Sequence, residues 1–265
     1  MSHSPRIGFI TDLSEEDFKF SARNAIPCVE YNFSDNIDAV KSFAAVKHHM
    51  KKYGVEFSMI GMFGRNYISS DDKEADRHMR DAKALVDLCQ DIGAPCFVTG
   101  AGHAENRTLE ENVERASSFF GSLLDYAKGK NVRVALYNCH WGNFAFGPDS
   151  WKMLLPKLPE LGLKYDPSHT FYDGRDYLQE LLDWGNRVYH MHAKGAIRIG
   201  GKRFEDPPAG LDQIDWGSIM AVMYHHKYED DINIEPHSGV WLAEKRHEGI
   251  LIARRHLLQF IASET

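Results

Sequence analysis

Lys164-Tyr165-Asp166-Pro167-Ser168-His169 is the stretch on which the reading of this chain turns. It begins as a short run able to form a buried strand and ends in residues that bind metals or move protons. Two later segments repeat that design, Tyr189-His190-Met191-His192-Ala193-Lys194 and Asn233-Ile234-Glu235-Pro236-His237. Asp, His and Glu at the ends of three successive strands can serve one divalent cation, provided the fold makes those ends converge.

Outward from these segments, strand-like and helix-like runs alternate along the chain. Strands are expected at 7–11, 28–32, 55–59, 95–99, 132–137, 163–165, 188–192 and 232–235. Helices are expected from Ser14 onward and at 37–53, 73–92, 109–129, 150–155, 177–184, 218–224 and 242–261. Ser14 reads as an N-cap ahead of Glu15, Glu16 and Asp17, which suit a first helical turn. Ala75, Met79, Ala82, Leu85, Val86 and Cys89 recur near one helical face, and Gly93 ends that helix.

Eight β–α units in order favour crossover connections and a parallel sheet, which most simply closes into a (β/α)8 TIM barrel. An open doubly wound sheet usually carries a glycine-rich phosphate loop after its first strand, and Ile10-Thr11-Asp12-Leu13 has none. A length of 265 residues suits one barrel, so 1–265 is expected to form a single domain. The connection 195–216 is long, which in a compact domain points to function.

Composition narrows the function. The net charge of −7 gives no grip on a phosphate backbone, so nucleic acid is not an expected partner. Cys28, Cys89, Cys96 and Cys139 form no CxxC pair and read as reduced thiols. Met1-Ser2-His3-Ser4-Pro5 does not resemble a signal peptide, and no apolar run reaches membrane-spanning length. A cytoplasmic protein with no membrane partner is expected, and a homo-oligomer is left open.

At a barrel mouth, Asp166, His192 and Glu235 would end strands six, seven and eight and so be neighbours. Singly, Asp166 fits an Asx turn, His192 a satisfied core histidine and Glu235 an arginine partner. Their shared position favours a metal site. Oxygen and imidazole donors without thiolates suit Mn²⁺, Mg²⁺, Co²⁺ or Zn²⁺.

On these segments the chain resembles the sugar phosphate isomerase/epimerase group of xylose-isomerase-like TIM barrels, which includes ketose 3-epimerases and inosose dehydratases and is distantly related to endonuclease IV. The resemblance covers essentially the whole chain and is most specific over 131–237. It implies a metal held by Glu, Asp, His and Glu on strands five to eight. Asp166, His192 and Glu235 match the last three. His169, in Asp-Pro-Ser-His, matches a substrate-contacting histidine, and Arg198 falls where ketose epimerases place a substrate-binding arginine. Glu30 matches a family glutamate and is read as a buried structural or metal-supporting group.

The departure lies on strand five, where Tyr137-Asn138 stands in place of Glu-Asn. The fourth ligand is then Asn138, His140 or water. Lys194 is a candidate for binding an oxyanion or hydroxyl, and Trp141 and His140 for contacting the sugar. The expected chemistry is isomerisation or epimerisation of a sugar or polyol carbonyl through a metal-stabilised enediolate. Glu235 and His169 are the candidate bases, tuned toward neutral pH by the cation and burial. Loss of the strand-five carboxylate shifts weight toward elimination by a dehydratase or lyase. A non-catalytic sugar-binding barrel and an abasic-site nuclease are the rivals.

Overall fold

Period-two strands alternating with amphipathic helices close on themselves. The computed structural model describes residues 4–34, 36–38, 40 and 43–262. Seven strands come first: β1 (Ile7–Ile10), β2 (Cys28–Phe33), β3 (Glu56–Met62), β4 (Cys96–Thr99), β5 (Arg133–Tyr137), β6 (Gly162–Tyr165) and β7 (Val188–Ala193). β8 (Ile197–Ile199) and β9 (Lys202–Glu205) form a separate antiparallel hairpin, and β10 (Ile232–Ile234) is the eighth barrel strand. The barrel order is β1-β10-β7-β6-β5-β4-β3-β2, with every neighbouring pair parallel, so the chain is a TIM barrel.

Local chemistry sets the helix ends. Ser14 caps α1 (Glu15–Arg23) by accepting from the Asp17 N–H. Asp71 opens α3 (Asp72–Ile92) after α2 (Phe43–Tyr53), and Gly93 closes α3 at φ +75°. Thr108 and Glu111 make a reciprocal capping box at α4 (Leu109–Ala127). α5 (Pro148–Leu154) starts on a proline, two residues before the expected start.

Two segments differ from expectation. Asp166 and Pro167 supply an N-cap and an N1 proline for α6 (Pro167–Tyr172), a helix between β6 and α7 (Tyr177–Trp184) that was not expected. After α8 (Trp216–His225), the expected final helix is two pieces, α9 (Gly239–Leu242) and α10 (Arg246–Leu257). Of the expected helix at 37–53, residues 39, 41 and 42 lie outside the described residues, as do Met1, Ser2 and His3. Among the described residues no helix is long and apolar enough to cross a membrane. All four cysteines are free thiols.

Strand alternation splits the side chains into two populations. Outward residues such as Phe9, Leu136, Met191 and Ile234 form the main core beneath the helices. The barrel interior divides again. Met59, Cys96, Val98, Ala135 and Tyr137 give the β3–β5 side an apolar filling. Glu30, Lys164, Asp166, His190, His192 and Asn233 give the β6–β7–β10–β2 side a buried ionic one. Two glycines make room for it. A Cβ on Gly8 would lie 2.4 Å from Asn233 Oδ1, and one on Gly61 would lie 1.9 Å from Asn32 Oδ1.

Candidate active site

The inward positions of the last three barrel strands carry the chemistry. Lys164 and Asp166 share a face at the end of β6, and His190, His192 and Lys194 share one along β7. Asn233 and Glu235 do so at β10, where the Glu235 N–H extends the ladder to the Ala193 carbonyl at 3.2 Å. All but Glu235 are buried, and the Glu235 side chain is 20% exposed.

Glu30 is the deepest member. One carboxylate oxygen meets His192 Nε2 at 2.7 Å and accepts from Asn32 at 2.9 Å. The other meets His190 Nε2 at 2.7 Å and accepts from Asn233 at 2.8 Å. Burial alone would raise its pKa, but His192 and His190 outweigh it and hold the carboxyl well below the usual range. The second nitrogen of His192, Nδ1, lies 2.9 Å from Glu235. Burial opposes the imidazolium, yet Glu30 and Glu235 together raise the His192 pKa above its ordinary value.

Above this layer sits Lys194. Its ammonium is 2.9 Å from Asp166 Oδ2 and 3.3 Å from Glu235 Oε2. Despite burial, these carboxylates keep the amine cationic with a raised pKa. Both carboxyls stay ionised against burial, held down first of all by Lys194. His169 Nε2 lies 3.3 Å from Asp166 Oδ2, but burial and Lys194 push its pKa down to about 3, leaving a neutral imidazole. Neither expected base is therefore tuned toward neutrality. The neighbouring cations are ammonium groups that keep Glu235 acidic and His169 uncharged.

The mouth opens into a cavity of about 450 Å³, bordered by Phe63, Trp141, Lys164, His169, Lys194 and Glu235 among others. A larger hollow of about 590 Å³ lies around Pro95, Arg133 and Tyr189 at the strands' starting ends, away from these groups. Other expected residues fall differently. Asn138 is not presented as a ligand, because its amide accepts from the Asp166 N–H and donates to the Asp166 carbonyl, both at 2.9 Å, clamping β5 to β6. The Arg198 guanidinium binds the Phe171 and Gly201 carbonyls and does not line the cavity. His140 is half exposed beside Asp173 at 3.8 Å and stacked on Trp141. Trp141 borders the cavity with 69% of its surface exposed.

Sequence reasoning missed Lys164, Arg203 and Tyr172, all of which border the cavity. Lys164 was legible from register, two positions before Asp166 on one strand face. Arg203 was not, since the β8–β9 hairpin sets its position.

One ligand atom each from Asp166, His192 and Glu235 lie within 4.8 Å of one another, as do atoms of Glu30, His190 and His192. Either trio is close enough to hold a metal ion. Their other contacts oppose it. Outside its own trio, Glu30 accepts one side-chain hydrogen bond on each oxygen, from Asn32 and from Asn233. Asp166 Oδ1 accepts from the Ser168 N–H as helix cap, and Oδ2, buried without a hydrogen-bond partner, lies 2.9 Å from the Lys194 ammonium as an ion pair. Tyr137 offers no carboxylate, and its ring stacks on Phe63 at 4.7 Å, with its hydroxyl where a Gly100 Cβ would lie. Each positive unit about 4 Å from an ammonium costs on the order of 4 kcal/mol even at an effective dielectric near 20. A divalent ion does not fit between these carboxylates while Lys194 holds them.

A family model described as "Xylose isomerase-like TIM barrel" matches residues 18–259. The chain belongs to that family. The fold agrees with solved xylose isomerase-like barrels. The IolI protein with a bound zinc atom superposes with a TM-score of 0.80 at 12% identity, covering 96% of this chain and 97% of that one. The D-allulose 3-epimerase from Methylomonas sp. in complex with D-allulose gives 0.78 at 16% identity, covering 97% of each chain. The 3-keto-D-glucoside 4-epimerase YcjR from E. coli gives 0.75 at 14%, covering 95% of this chain and 99% of that one. At these identities the likeness is one of fold. No curated protein sequence matches the chain.

Proposed function

We propose that this barrel is an enzyme of the isomerase or epimerase type, moving a proton on a sugar or polyol that carries a carbonyl next to a hydroxyl. The observation that carries this reading is the shared cavity. An ionised carboxylate, a neutral imidazole and two ammonium groups face one space about 450 Å³ in volume, with the aromatic rings of Phe63 and Trp141 on its wall. Aromatic walls suit the C–H faces of a sugar, and the polar groups suit its oxygens.

In this reading Glu235 takes the C–H proton beside the carbonyl. In the free site its pairing with Lys194 at 3.3 Å makes it a weak base. A substrate oxygen that draws the Lys194 ammonium toward itself removes that restraint and raises the basicity of Glu235 where the proton is to be taken. The neutral His169 side chain hydrogen-bonds a neighbouring hydroxyl. Return of the proton to the adjoining carbon completes an isomerisation. Tyr137 in place of a carboxylate on β5 favours one variant, loss of a hydroxyl β to the carbonyl, because that strand offers no acid to reprotonate the opposite face.

The test is solvent deuterium exchange into a panel of ketoses, aldoses and inososes, followed by NMR and mass spectrometry. Exchange or elimination in the wild type, reduced at least about 100-fold in Glu235→Gln, supports the proposal. A full panel without exchange or elimination, together with measurable sugar binding, would leave a binding barrel instead.

A further inference from the structure

Lys164 is the one charged group at the mouth that the family resemblance does not place and that the chain itself leaves without a contact. It is 2% exposed at the end of β6 and borders the cavity. Among the described residues no carboxylate or carbonyl receives its ammonium. Its nitrogen is not among the buried atoms that lack a partner, so the ammonium reaches the cavity, where the oxygen of a bound molecule can meet it.

Glu30, Asp166 and Glu235 are three anions packed around the end of the barrel. Lys164, Lys194 and His192 lie among them. Lys194 bridges the two carboxylates that a metal would need, and Tyr137 withholds a further one. Lys164 faces open space beside that bridge, as does Ser168 Oγ, which has no partner of its own.

We propose that this barrel works with ammonium groups where a divalent cation would otherwise sit: Lys164, supported by Lys194, binds and polarises the carbonyl oxygen of a hydroxy-carbonyl substrate, and the site takes no metal. The inference rests on the enolising reaction proposed above, but its metal-free half stands apart from it. The step is balanced without another reactant. The C–H proton passes to the Glu235 carboxylate, and the C–H electron pair forms the C=C bond. The carbonyl π pair moves onto oxygen, whose new negative charge is held by Lys164. The neighbouring hydroxyl then passes its proton to the oxyanion and its O–H electron pair forms the new C=O, while the C=C pair takes the proton back from Glu235 at the former carbonyl carbon, which restores the carboxylate. Lys164 is thereby a catalytic residue, because it touches the reacting oxygen.

Two measurements test this on the whole chain. The first is metal content by mass spectrometry and calorimetric titration with Mn²⁺ and Zn²⁺ alone. The wild type is expected to carry no stoichiometric metal and to bind neither ion tighter than millimolar. Lys164→Met combined with Lys194→Met should free Asp166, His192 and Glu235 and tighten metal binding at least about 100-fold, since two adjacent positive charges are removed. Should the double variant not fold, Lys164→Met alone is expected to tighten binding about 10-fold. One equivalent of tightly held metal in the wild type, or unchanged affinity in a folded variant, overturns the proposal. The second is solvent deuterium exchange with and without a chelator. Exchange that survives chelation and falls at least about 100-fold in Lys164→Met supports it. Exchange abolished by chelation and restored by Mn²⁺ overturns it while leaving the enolising reaction standing. Absence of exchange on every substrate overturns the enolising reaction and the role of Lys164, while the titrations still decide whether the site takes metal.

Discussion

Replacing Glu30 by glutamine keeps the shape of the side chain and removes its charge. Four donors converge on the carboxylate: His190 and His192 at 2.7 Å, Asn233 at 2.8 Å and Asn32 at 2.9 Å. Glutamine turns one oxygen into an NH2, so one pair of donors faces another donor at hydrogen-bond distance. A hydrogen bond to a charged group contributes about 1.5–3 kcal/mol, and two are lost. Relief of carboxylate desolvation and a tautomer change at one histidine recover part of this. A loss of about 3–5 kcal/mol is expected, as for a buried ion pair deprived of one partner. Chemical denaturation should show a lower midpoint with an unchanged slope. The pH dependence has a definite sign. Because the folded-state pKa of Glu30 lies well below its ordinary value, its contribution is complete above that value and declines as pH falls below it. The gap between wild type and variant should therefore be full at pH 7 and shrink below about pH 4. A loss under about 1 kcal/mol at pH 7, or a gap that grows on acidification, would refute the reasoning.

Asp206 holds the β8–β9 hairpin against the mouth. Its Oδ1 receives the Tyr172 hydroxyl at 2.6 Å, and its Oδ2 pairs with Arg203 and with His237 at 2.7 Å. Burial opposes its charge, but His237, Tyr172 and Arg203 pull its pKa down to about 2. Stability from this group is present above pH 4 and lost as pH falls toward 2. Discounted for solvent around the loop, wild type should lose about 1–2 kcal/mol more than Asp206→Asn between pH 6 and pH 2 in thermal scans. Arg203 borders the cavity and Arg198 does not. Steady-state kinetics should show KM raised about 10-fold in Arg203→Ala and nearly unchanged in Arg198→Ala, and the opposite order would reject the placement.

The eight-unit rhythm was legible because strands and helices carry different periods, and because Gly93 and the Ser14 cap mark ends by local chemistry. The convergence of Asp166, His192 and Glu235 was legible for the same reason, since a closed barrel brings the ends of successive strands to one rim. Arg198 lies off the cavity because a hairpin reverses the chain between Ile199 and Lys202, and spacing along a sequence does not show that reversal. Asn138 clamps the Asp166 backbone, a use that spacing does not reveal because a side-chain amide can satisfy a neighbouring strand as readily as a ligand. α6 was missed although Asp-Pro-Ser is a helix-start signal, because the same aspartate was being read for chemistry. It serves both, with one oxygen on the Ser168 N–H and the other on Lys194.

The double use of Asp166 explains why this mouth tolerates the buried Lys194. A carboxylate whose Oδ1 is fixed by a helix N-terminus presents Oδ2 at one position, and Asn138 fixes the backbone behind it. Glu30 fixes His192 from below in the same way, and His192 fixes Glu235. An ammonium brought to such a preset pair of oxygens loses little entropy beyond its own, and the fixed oxygens replace part of its lost hydration. A tyrosine at position 137 completes the arrangement on the other wall. Its ring fills the space above Gly100, so the apolar half of the barrel extends to the rim and the charges are confined to the half where their partners lie. Substituting that tyrosine with a carboxylate would add a further anion beside Glu30, Asp166 and Glu235. The strand-five change and the buried lysines are in this sense one electrostatic solution.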